Sequence, residues 1–294
     1  MGRFGTILHT VDAGKTWKRQ VAVAFDFMNL YFLNSKEGWV VGDNGAILHI
    51  LDGGETWKLA KIEEMRRVNG VQFAGKNRGW AVGDVETIHH TSDRGETWSR
   101  QYGPRTMNNL NGVYFADKKR GWAVGQYGTI IFTKDGGNKW TLQKSGIGNE
   151  LRGVFFISTE KGWVVGDTGV ILHTNDGGKT WTLQESRVDV NLHSIYFANA
   201  YSGWIVGDAG TILHTSNEGA RWIVQKSGVK NNLKGVFCAE DGTVWVVGEW
   251  SAIIKGEPSN TTTMVSVAPS FCKVRWENPM ISGSTEACRY DNIP

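Results

Sequence analysis

The sequence contains few cysteines, and its charge is close to balance. Only three cysteines occur, Cys238, Cys272 and Cys288, and no two stand at the close spacing typical of zinc sites or redox dithiols. Lys and Arg number 32 against 29 Asp and Glu, a formal net charge of +3, and no basic run predicts a nucleic-acid-binding arm. We therefore expect no cofactor, no metal and no nucleic-acid partner. The residues leave open whether Cys272 and Cys288 form a disulfide.

Long apolar runs are also missing. No stretch approaches the ~20 apolar residues that cross a bilayer, and the N-terminus lacks the charged-then-apolar layout of a secretory signal. We predict no transmembrane segment. The segment Met1 to Thr10 aligns with Val206 to Thr215, so the chain starts inside a repeated unit, and we expect the natural protein to carry further sequence upstream.

Tryptophan and glycine are abundant where proline is scarce. The chain has 14 Trp and 38 Gly but only five Pro. Two tryptophan series recur, the second 18 residues after the first, and steps of 41 or 42 residues separate the members of the first. The first series is Trp39, Trp80, Trp122, Trp163, Trp204 and Trp245, and the second is Trp57, Trp98, Trp140, Trp181 and Trp222.

The sequence pattern of each unit predicts four short strands. One unit has strands at Leu151 to Phe156, Gly162 to Gly166 and Gly169 to Thr174, and a fourth from Thr180-Trp181. Four antiparallel strands in about 41 residues make one propeller blade. We predict an all-β propeller over residues 1–256, with seven sectors and a truncated first blade, or six if the two end fragments share a blade. Residues 257–294 form a non-repeat tail that completes or flanks the last blade.

A recurring turn joins the third and fourth strands. It reads Thr-Asn-Asp-Gly-Gly-Lys-Thr-Trp from Thr174 to Trp181 and is an Asp-box, as in bacterial neuraminidase repeats. Its carboxylate accepts hydrogen bonds from the backbone of the turn, so we assign it a structural role. The Asp-box carboxylates are Asp12, Asp52, Asp93, Asp135 and Asp176.

The recurring histidines and the Asp-box carboxylates invite a catalytic interpretation that their placement opposes. Zinc needs ligands at about 2.0–2.1 Å from one point, whereas equivalent positions on packed sheets lie roughly 10 Å apart. Glycoside hydrolysis needs two carboxyl groups within about 5–9.5 Å, whereas each Asp-box carboxylate is expected on the outer turn of its own blade. Both sets are therefore expected to be structural, and the polar residues that follow the second strands to be turn residues. The histidines are His9, His49, His90, His173 and His214, and the turn residues are Asp43, Asp84, Asp167 and Asp208 with Gln126 and Glu249 in register.

Positions that differ between units are the candidates for recognition. The second residue of the innermost strand is Met28, Asn69, Asn111, Arg152, His193 and Lys234 in successive units. The loops just upstream carry Arg66, Arg67, Arg105 and Arg187. We expect these side chains to surround one end of the central channel, with a basic patch for an acidic partner. The predicted partner-binding residues are Arg152, His193, Lys234, Asn69, Asn111, Arg66 and Arg67.

The unit from Gly162 to Trp181 closely resembles the repeat of the photosystem II assembly and stability factor family, and the likeness covers about residues 1–256. The resemblance implies a non-catalytic, seven-bladed assembly chaperone that binds a newly made reaction-centre subunit through an arginine-rich face on the lumenal side of the thylakoid. Arg152 is the best candidate for such an arginine. We expect a monomer whose partner is another protein, such as a membrane-protein assembly intermediate.

A secreted or cell-surface propeller that binds or hydrolyses glycans is the alternative. A sialidase would need an Arg-Ile-Pro-type segment, further arginines and a tyrosine–glutamate pair, and no such segment is found among the repeats. We therefore predict that the chain is not an enzyme. The resemblance favours an extracytoplasmic localisation. The sequence does not distinguish between the thylakoid lumen, the periplasm and secretion.

Overall fold

The computed structural model describes residues 5–20, 25–60, 62, 66–256 and 264–266. It contains six four-stranded antiparallel sheets and one two-stranded sheet. In each large sheet the strands lie in chain order from the innermost to the outermost, so every blade is a meander. Within the described ranges no α-helix occurs, and no helix could span a membrane. The predicted propeller of four-stranded antiparallel blades is confirmed.

The strands occupy equivalent positions in successive blades. The innermost strands are β3 (Phe27–Phe32), β7 (Val68–Phe73), β11 (Leu110–Phe115), β15 (Leu151–Phe156), β19 (Leu192–Phe197) and β23 (Leu233–Cys238). The second strands are β4 (Gly38–Gly42), β8 (Gly79–Gly83), β12 (Gly121–Gly125), β16 (Gly162–Gly166), β20 (Gly203–Gly207) and β24 (Val244–Gly248).

The outer half of each blade follows the same order. The third strands are β5 (Ile47–Ile50), β9 (Thr87–Thr91), β13 (Ile130–Thr133), β17 (Ile171–Thr174), β21 (Ile212–Thr215) and β25 (Ile253–Gly256). The outermost strands are β6 (Trp57–Ala60), β10 (Ser99–Gln101), β14 (Thr141–Gln143), β18 (Thr182–Gln184), β22 (Ile223–Gln225) and β26 (Met264–Ser266). The two-stranded sheet consists of β1 (Ile7–His9) and β2 (Lys18–Gln20).

The predicted count of seven blades is wrong, because the described residues form six four-stranded blades. The first unit contains only the sequence equivalent to third and outermost strands, which pair with each other as β1 and β2. The end fragments do not share a blade either, since β26 pairs with β25 and gives the last sheet its own fourth strand. The tail cysteines Cys272 and Cys288 lie outside the described residues.

Blades are held to one another by the first tryptophan series. The second strands are buried throughout in five blades, which explains their continuous apolar sequence. Trp122 is fully buried, stacks on Phe156 of the next blade at a ring-centroid distance of 3.6 Å, and donates from Nε1 to the Gly177 carbonyl at 3.2 Å. Trp39 with Phe73, and Trp80 with Phe115, repeat this stack.

The innermost strands share a backbone irregularity that positions one end of each blade. In blade four the register shifts between Leu151 and Gly153, so Arg152 lies in a β-bulge. A bulge bends the strand and redirects the side chain of the extra residue. The same shift occurs at the second residue of all six innermost strands. The bulge directs the side chain of this second residue toward the C-terminal end of the second strand of the same blade.

Candidate functional site

The variable second residues of the innermost strands lie beside the residues that follow the second strands. Fifteen residues separate the two positions in every unit, for example Arg152 and Asp167. We call this surface the charged rim, and it comprises both sets. They are Met28, Asn69, Asn111, Arg152, His193 and Lys234, and Asp43, Asp84, Gln126, Asp167, Asp208 and Glu249.

Arg152 is held by two carboxylates. Its Nε donates to Asp167 Oδ1 and its terminal nitrogen donates to Asp167 Oδ2 at 3.1 Å, a bidentate pair. Glu150 Oε1 lies 3.6 Å from the other terminal nitrogen. The Arg152 side chain remains 28% exposed, so the guanidinium is fixed in orientation and still reachable from solvent.

His193, Lys234 and Asp208 form a second cluster on the next two blades. Asp208 Oδ1 lies 2.6 Å from His193 Nε2 and 3.4 Å from Lys234 Nζ. Lys234 Nζ also lies 2.9 Å from His193 Nε2 and 3.3 Å from Glu249 Oε1. The cluster therefore joins blades five and six through one shared carboxylate.

Burial lowers the pKa of His193, and the charges of Lys234 and Arg152 act in the same direction against the opposing effect of Asp208. The ring is therefore neutral at pH 7. In the tautomer without a proton on Nε2, this atom of His193 accepts a hydrogen bond from Lys234. In the other tautomer, Nε2 carries the proton and donates a hydrogen bond to Asp208. Although burial acts in the opposite direction, hydrogen bonds from His193 and Lys234 and the positive charge of Lys234 lower the pKa of Asp208, which stays ionised.

The asparagines of the rim connect neighbouring blades. Asn69 Nδ2 donates to Asp84 Oδ1 and to the Leu110 carbonyl, both at 2.9 Å. Asn111 Nδ2 donates in the same way to Glu150 Oε1 and the Leu151 carbonyl, again at 2.9 Å. These contacts fix the polar side chains in a continuous row across blades two to four.

The upstream arginines have partners on the same rim. Arg67 Nε donates to Asp43 Oδ1 of the preceding blade at 2.6 Å, and Arg66 donates to the Val85 carbonyl at 3.3 Å. Arg105 and Arg187 adopt the left-handed backbone region, with φ of 66° and 62°. The structure thus brings Arg66 and Arg67 to the rim.

The charge of the rim differs from the expected basic patch. Arg67, Arg152, His193 and Lys234 each have a carboxylate partner among the residues interpreted from sequence as turn residues. The constant spacing of 15 residues was the signal that sequence reasoning missed, because in a hairpin it marks cross-strand neighbours. The surface is a row of alternating, fixed charges rather than a field of one sign.

Two exposed aromatic side chains on the rim were also missed. Tyr127 and Trp250 directly follow Gln126 and Glu249, and they are 74% and 89% exposed. Both have positive φ, 55° and 56°, and the same backbone conformation occurs at the equivalent residues Asn44, Val85, Thr168 and Ala209. The turn therefore holds each of these side chains away from the blade, and only on blades three and six is it aromatic.

The Asp-box carboxylates lie at the outer turns, and the structure does not bring them together. Asp176 accepts from the Thr180 N–H at 2.9 Å and from the Thr180 and Thr174 hydroxyls at 2.6 and 2.8 Å. These bonds, that of the Thr180 hydroxyl first, lower the pKa of Asp176 to about 2. A carboxylate so fully bonded stays ionised and supports the turn.

The recurring histidines stack on tryptophans of their own blades. His173 lies across from Trp163 in the β16–β17 pair, with ring centroids 4.9 Å apart, and His49 stacks on Trp39 at 4.7 Å. Burial is the largest cause that lowers the pKa of both rings. In the described part of the chain, no three His, Cys, Asp or Glu side chains are placed to hold a metal ion.

Comparisons with known proteins agree with this architecture. The structure of YCF48 bound to D1 peptide has a TM-score of 0.70 and 19% identity, covering 88% of this chain and 86% of that one. An ancestral GH74 enzyme has a TM-score of 0.72 at 10% identity, covering 94% of this chain but 45% of its own. A catalytically inactive virginiamycin B lyase from Staphylococcus aureus with quinupristin has a TM-score of 0.67 at 16% identity, covering 86% and 94%.

At these identities the structures show a shared fold alone. No curated protein matches the sequence. The family model described as photosynthesis system II assembly factor YCF48 matches residues 19–105, 103–185 and 146–236, which together span most of the propeller. The chain therefore belongs to the photosynthesis system II assembly factor YCF48 family.

Proposed function

We propose that this chain is a non-catalytic scaffold that binds a polypeptide segment of a photosystem II subunit during assembly, and that the charged rim is the binding surface. Family membership over residues 19–236 is the observation that carries the proposal. A related structure with D1 peptide bound supports a reaction-centre polypeptide as the partner. The assignment to the rim rests on the chemistry of its side chains.

The rim suits an extended peptide because its charges are fixed before the partner arrives. Arg152 and Lys234 are 28% and 40% exposed, so a partner can reach both cations, and the guanidinium of Arg152 has N–H donors beyond the two that bond Asp167. Side chains that are already ordered lose less conformational entropy on binding. Trp250, at 89% exposure, adds a large apolar surface of the kind enriched at binding hot spots.

The absence of catalysis is part of the proposal. Glycoside hydrolysis uses two carboxyl groups at about 5–9.5 Å, one of them with a raised pKa. On the rim, the lowered pKa of Asp208 makes it unsuited to donate a proton, and both carboxylate oxygens of Asp167 are engaged by Arg152. A fluorogenic glycosidase panel checks this point, and turnover that is lost in an Asp167→Asn or Asp208→Asn variant would contradict it.

Binding is tested with fluorescein-labelled synthetic peptides that tile the D1 protein, using fluorescence anisotropy. The test variant is the double substitution Arg152→Gln and Lys234→Gln. The matched control is Lys58→Gln with Arg221→Gln, because these exposed cations lie on outer parts of blades and the change in net charge is the same.

We expect at least one peptide to bind the unaltered chain, with affinity reduced at least tenfold in the rim variant and within twofold in the control. Equal losses in both variants would assign binding to net charge rather than to the rim. No binding by any D1 peptide would contradict the proposed partner, and unchanged binding in the rim variant would contradict the proposed surface.

A further inference from the structure

The end of the blades opposite the charged rim carries a separate cluster of cations. The loop between the innermost and the second strand lies at this end, together with the Asp-box turn. In blade three the two are joined by the Gly136 N–H, which donates to the Lys119 carbonyl at 2.9 Å. Five exposed cations on these loops of blades two and three form the surface that we call the basic face. They are Lys76, Arg78, Lys118, Lys119 and Lys134.

The loops of the two blades lie against each other. Trp80 of blade two donates from Nε1 to the Gly136 carbonyl of blade three at 3.1 Å. A methyl group placed on Gly75 would lie 3.6 Å from Cε of Lys118, so the stem of this lysine reaches toward blade two. A methyl group on Gly136 would lie 3.7 Å from a terminal nitrogen of Arg78. The cations of the two blades therefore share one surface.

The cations of the basic face have no carboxylate partner, in contrast to those of the rim. Within the described part of the chain, no carboxylate oxygen lies within 4.0 Å of a charged nitrogen of the five. Two further arginines at this end are paired and are therefore not counted in the face. Arg94 is bound by Glu37. Arg120 lies 3.2 Å from Asp117.

Positive charge at this end is concentrated on two blades. The loops of blade three, residues 116–120 and 134–139, contain five cations and two carboxylates, and those of blade two, residues 74–78 and 92–97, contain three and two. The matching loops of blades four and five are neutral, and those of blade one carry a net charge of −2. The excess on blades two and three is larger than the net charge of +3 of the whole chain. An anionic partner is therefore attracted to this side of the ring.

The composition of the basic face is typical of contact with anionic lipids. Four of its five cations are lysines, and the four loops contain no aromatic residue. Protein–protein interfaces are enriched in arginine and aromatic residues and depleted in lysine, and proteins that bind single-stranded nucleic acid stack the bases on aromatic rings. Clusters of about four to eight Lys or Arg residues are typical of proteins that bind anionic headgroups. Lysines without fixed partners keep flexible stems, which adapt to headgroups that diffuse laterally.

We propose that the basic face docks this protein on an anionic lipid surface. The inference rests on the proposed function in one respect, because a photosystem II subunit as partner places the chain beside a membrane. The rim lies at the other end of the same blades, so a docked molecule holds its polypeptide partner there without competition. Docking also raises the concentration of the rim near a membrane-embedded partner.

Vesicle flotation of the whole chain tests the docking. One set of vesicles contains equal amounts of phosphatidylglycerol and phosphatidylcholine, and the other contains phosphatidylcholine alone. At low salt we expect at least tenfold more protein on the anionic vesicles. This binding should be lost at about 1 M salt, where screening reduces the range of the charges to about 3 Å. Equal binding to both sets of vesicles would overturn the proposal.

The test variant replaces the four lysines of the basic face, and the matched control replaces four exposed lysines elsewhere with the same change in net charge. The test substitutions are Lys76→Gln, Lys118→Gln, Lys119→Gln and Lys134→Gln, and the control substitutions are Lys18→Gln, Lys144→Gln, Lys226→Gln and Lys230→Gln. Vesicle binding should fall at least tenfold in the test variant and stay within twofold in the control. Thermal unfolding verifies that both variants are folded. Equal losses would assign vesicle binding to net charge and would overturn the proposal.

Two further measurements separate the possible outcomes. A fluorescein-labelled polyglutamate peptide represents an acidic polypeptide, and its binding to the basic face without any flotation would overturn the lipid assignment. The test variant should bind D1 peptides within twofold of the unaltered chain, because the basic face and the rim lie at opposite ends. A failure of flotation with intact D1 peptide binding therefore contradicts the docking alone, and a failure of D1 peptide binding with intact flotation contradicts the proposed function alone.

Discussion

The junctions between blades use the same residues in successive units, whereas the charged rim uses different ones, although both derive from the same repeat. At the junctions the same residue returns, with ring-centroid distances of 3.5–3.6 Å for Trp39–Phe73, Trp80–Phe115 and Trp122–Phe156. At the rim the bulged position carries a different type of side chain in most blades. Packing tolerates little change in volume or shape, whereas a partly exposed bulge accepts almost any polar side chain. The positions released from packing are therefore the ones available for recognition.

The largest effect that separates the two regions is expected for Trp122→Ala. The substitution removes a fully buried ring, its stack on Phe156 and its bond to Gly177, and large-to-small changes of this kind cost about 3–5 kcal/mol. Urea unfolding measures the loss. Trp250→Ala at the exposed rim is the matched control and should change stability by less than about 0.5 kcal/mol. Equal effects would mean that the first tryptophan series does not hold the blades together.

A smaller loss is expected for Thr174→Val in an Asp-box. The buried Thr174 hydroxyl accepts from the Gly178 N–H at 2.8 Å and donates to Asp176, so the change leaves a buried donor unpaired and costs about 1–3 kcal/mol. The exposed Thr182→Val, at the start of the outermost strand β18 just after the box, should cost less than about 0.5 kcal/mol. Thermal unfolding of both variants gives the comparison. A loss no greater than that of Thr182→Val would remove the structural role assigned to the box.

The stacked histidines predict acid sensitivity at the junctions. Burial lowers the pKa of His173 in the folded state below the ordinary value of 6.5. The unfolded chain therefore binds more protons just below that pH, and stability falls as the pH drops through 6.5 toward the folded pKa. Phe132 holds the equivalent position in blade three, so His173→Phe keeps an aromatic ring beside Trp163.

This variant should lose less stability than the unaltered chain between pH 7.5 and pH 5, by urea unfolding at each pH. It also removes the Nε2 atom of His173, which is buried without a hydrogen-bond partner, so it should be more stable at pH 7 by about 1 kcal/mol. An unchanged pH dependence would show that the pKa of His173 is the same in the folded and unfolded chains, and would contradict this prediction.

The smallest effect on stability is expected for Arg152→Gln on the rim. The lost pair with Asp167 is partly exposed, and such pairs contribute roughly 0–1 kcal/mol. Binding of a D1 peptide should nevertheless weaken, because the substitution removes a donor of the proposed binding surface. Urea unfolding and fluorescence anisotropy on the same sample separate the two quantities. A stability loss as large as that of Trp122→Ala would place Arg152 with the junctions.

The repeat predicts the junctions from sequence better than the rim. Strands β15 and β16 begin and end where the spacing predicts, because alternating apolar residues and bounding glycines dictate them locally. The partner of Arg152 was not predicted, since Asp167 was interpreted as a turn residue and the bulge that turns Arg152 toward it leaves no mark in the pattern. The blade count failed for a related reason, because periodicity counts units and not which strands pair.

The most direct measurement is hydrogen exchange of the chain with and without a saturating D1 peptide. The account predicts slower exchange at the rim of blades four to six, at Asp167–Thr168, Asp208–Ala209 and Glu249–Trp250, with unchanged exchange at the outer Asp-box turns. Slowing confined to the Asp-box turns or to the opposite end of the blades, with none at the rim, would contradict it.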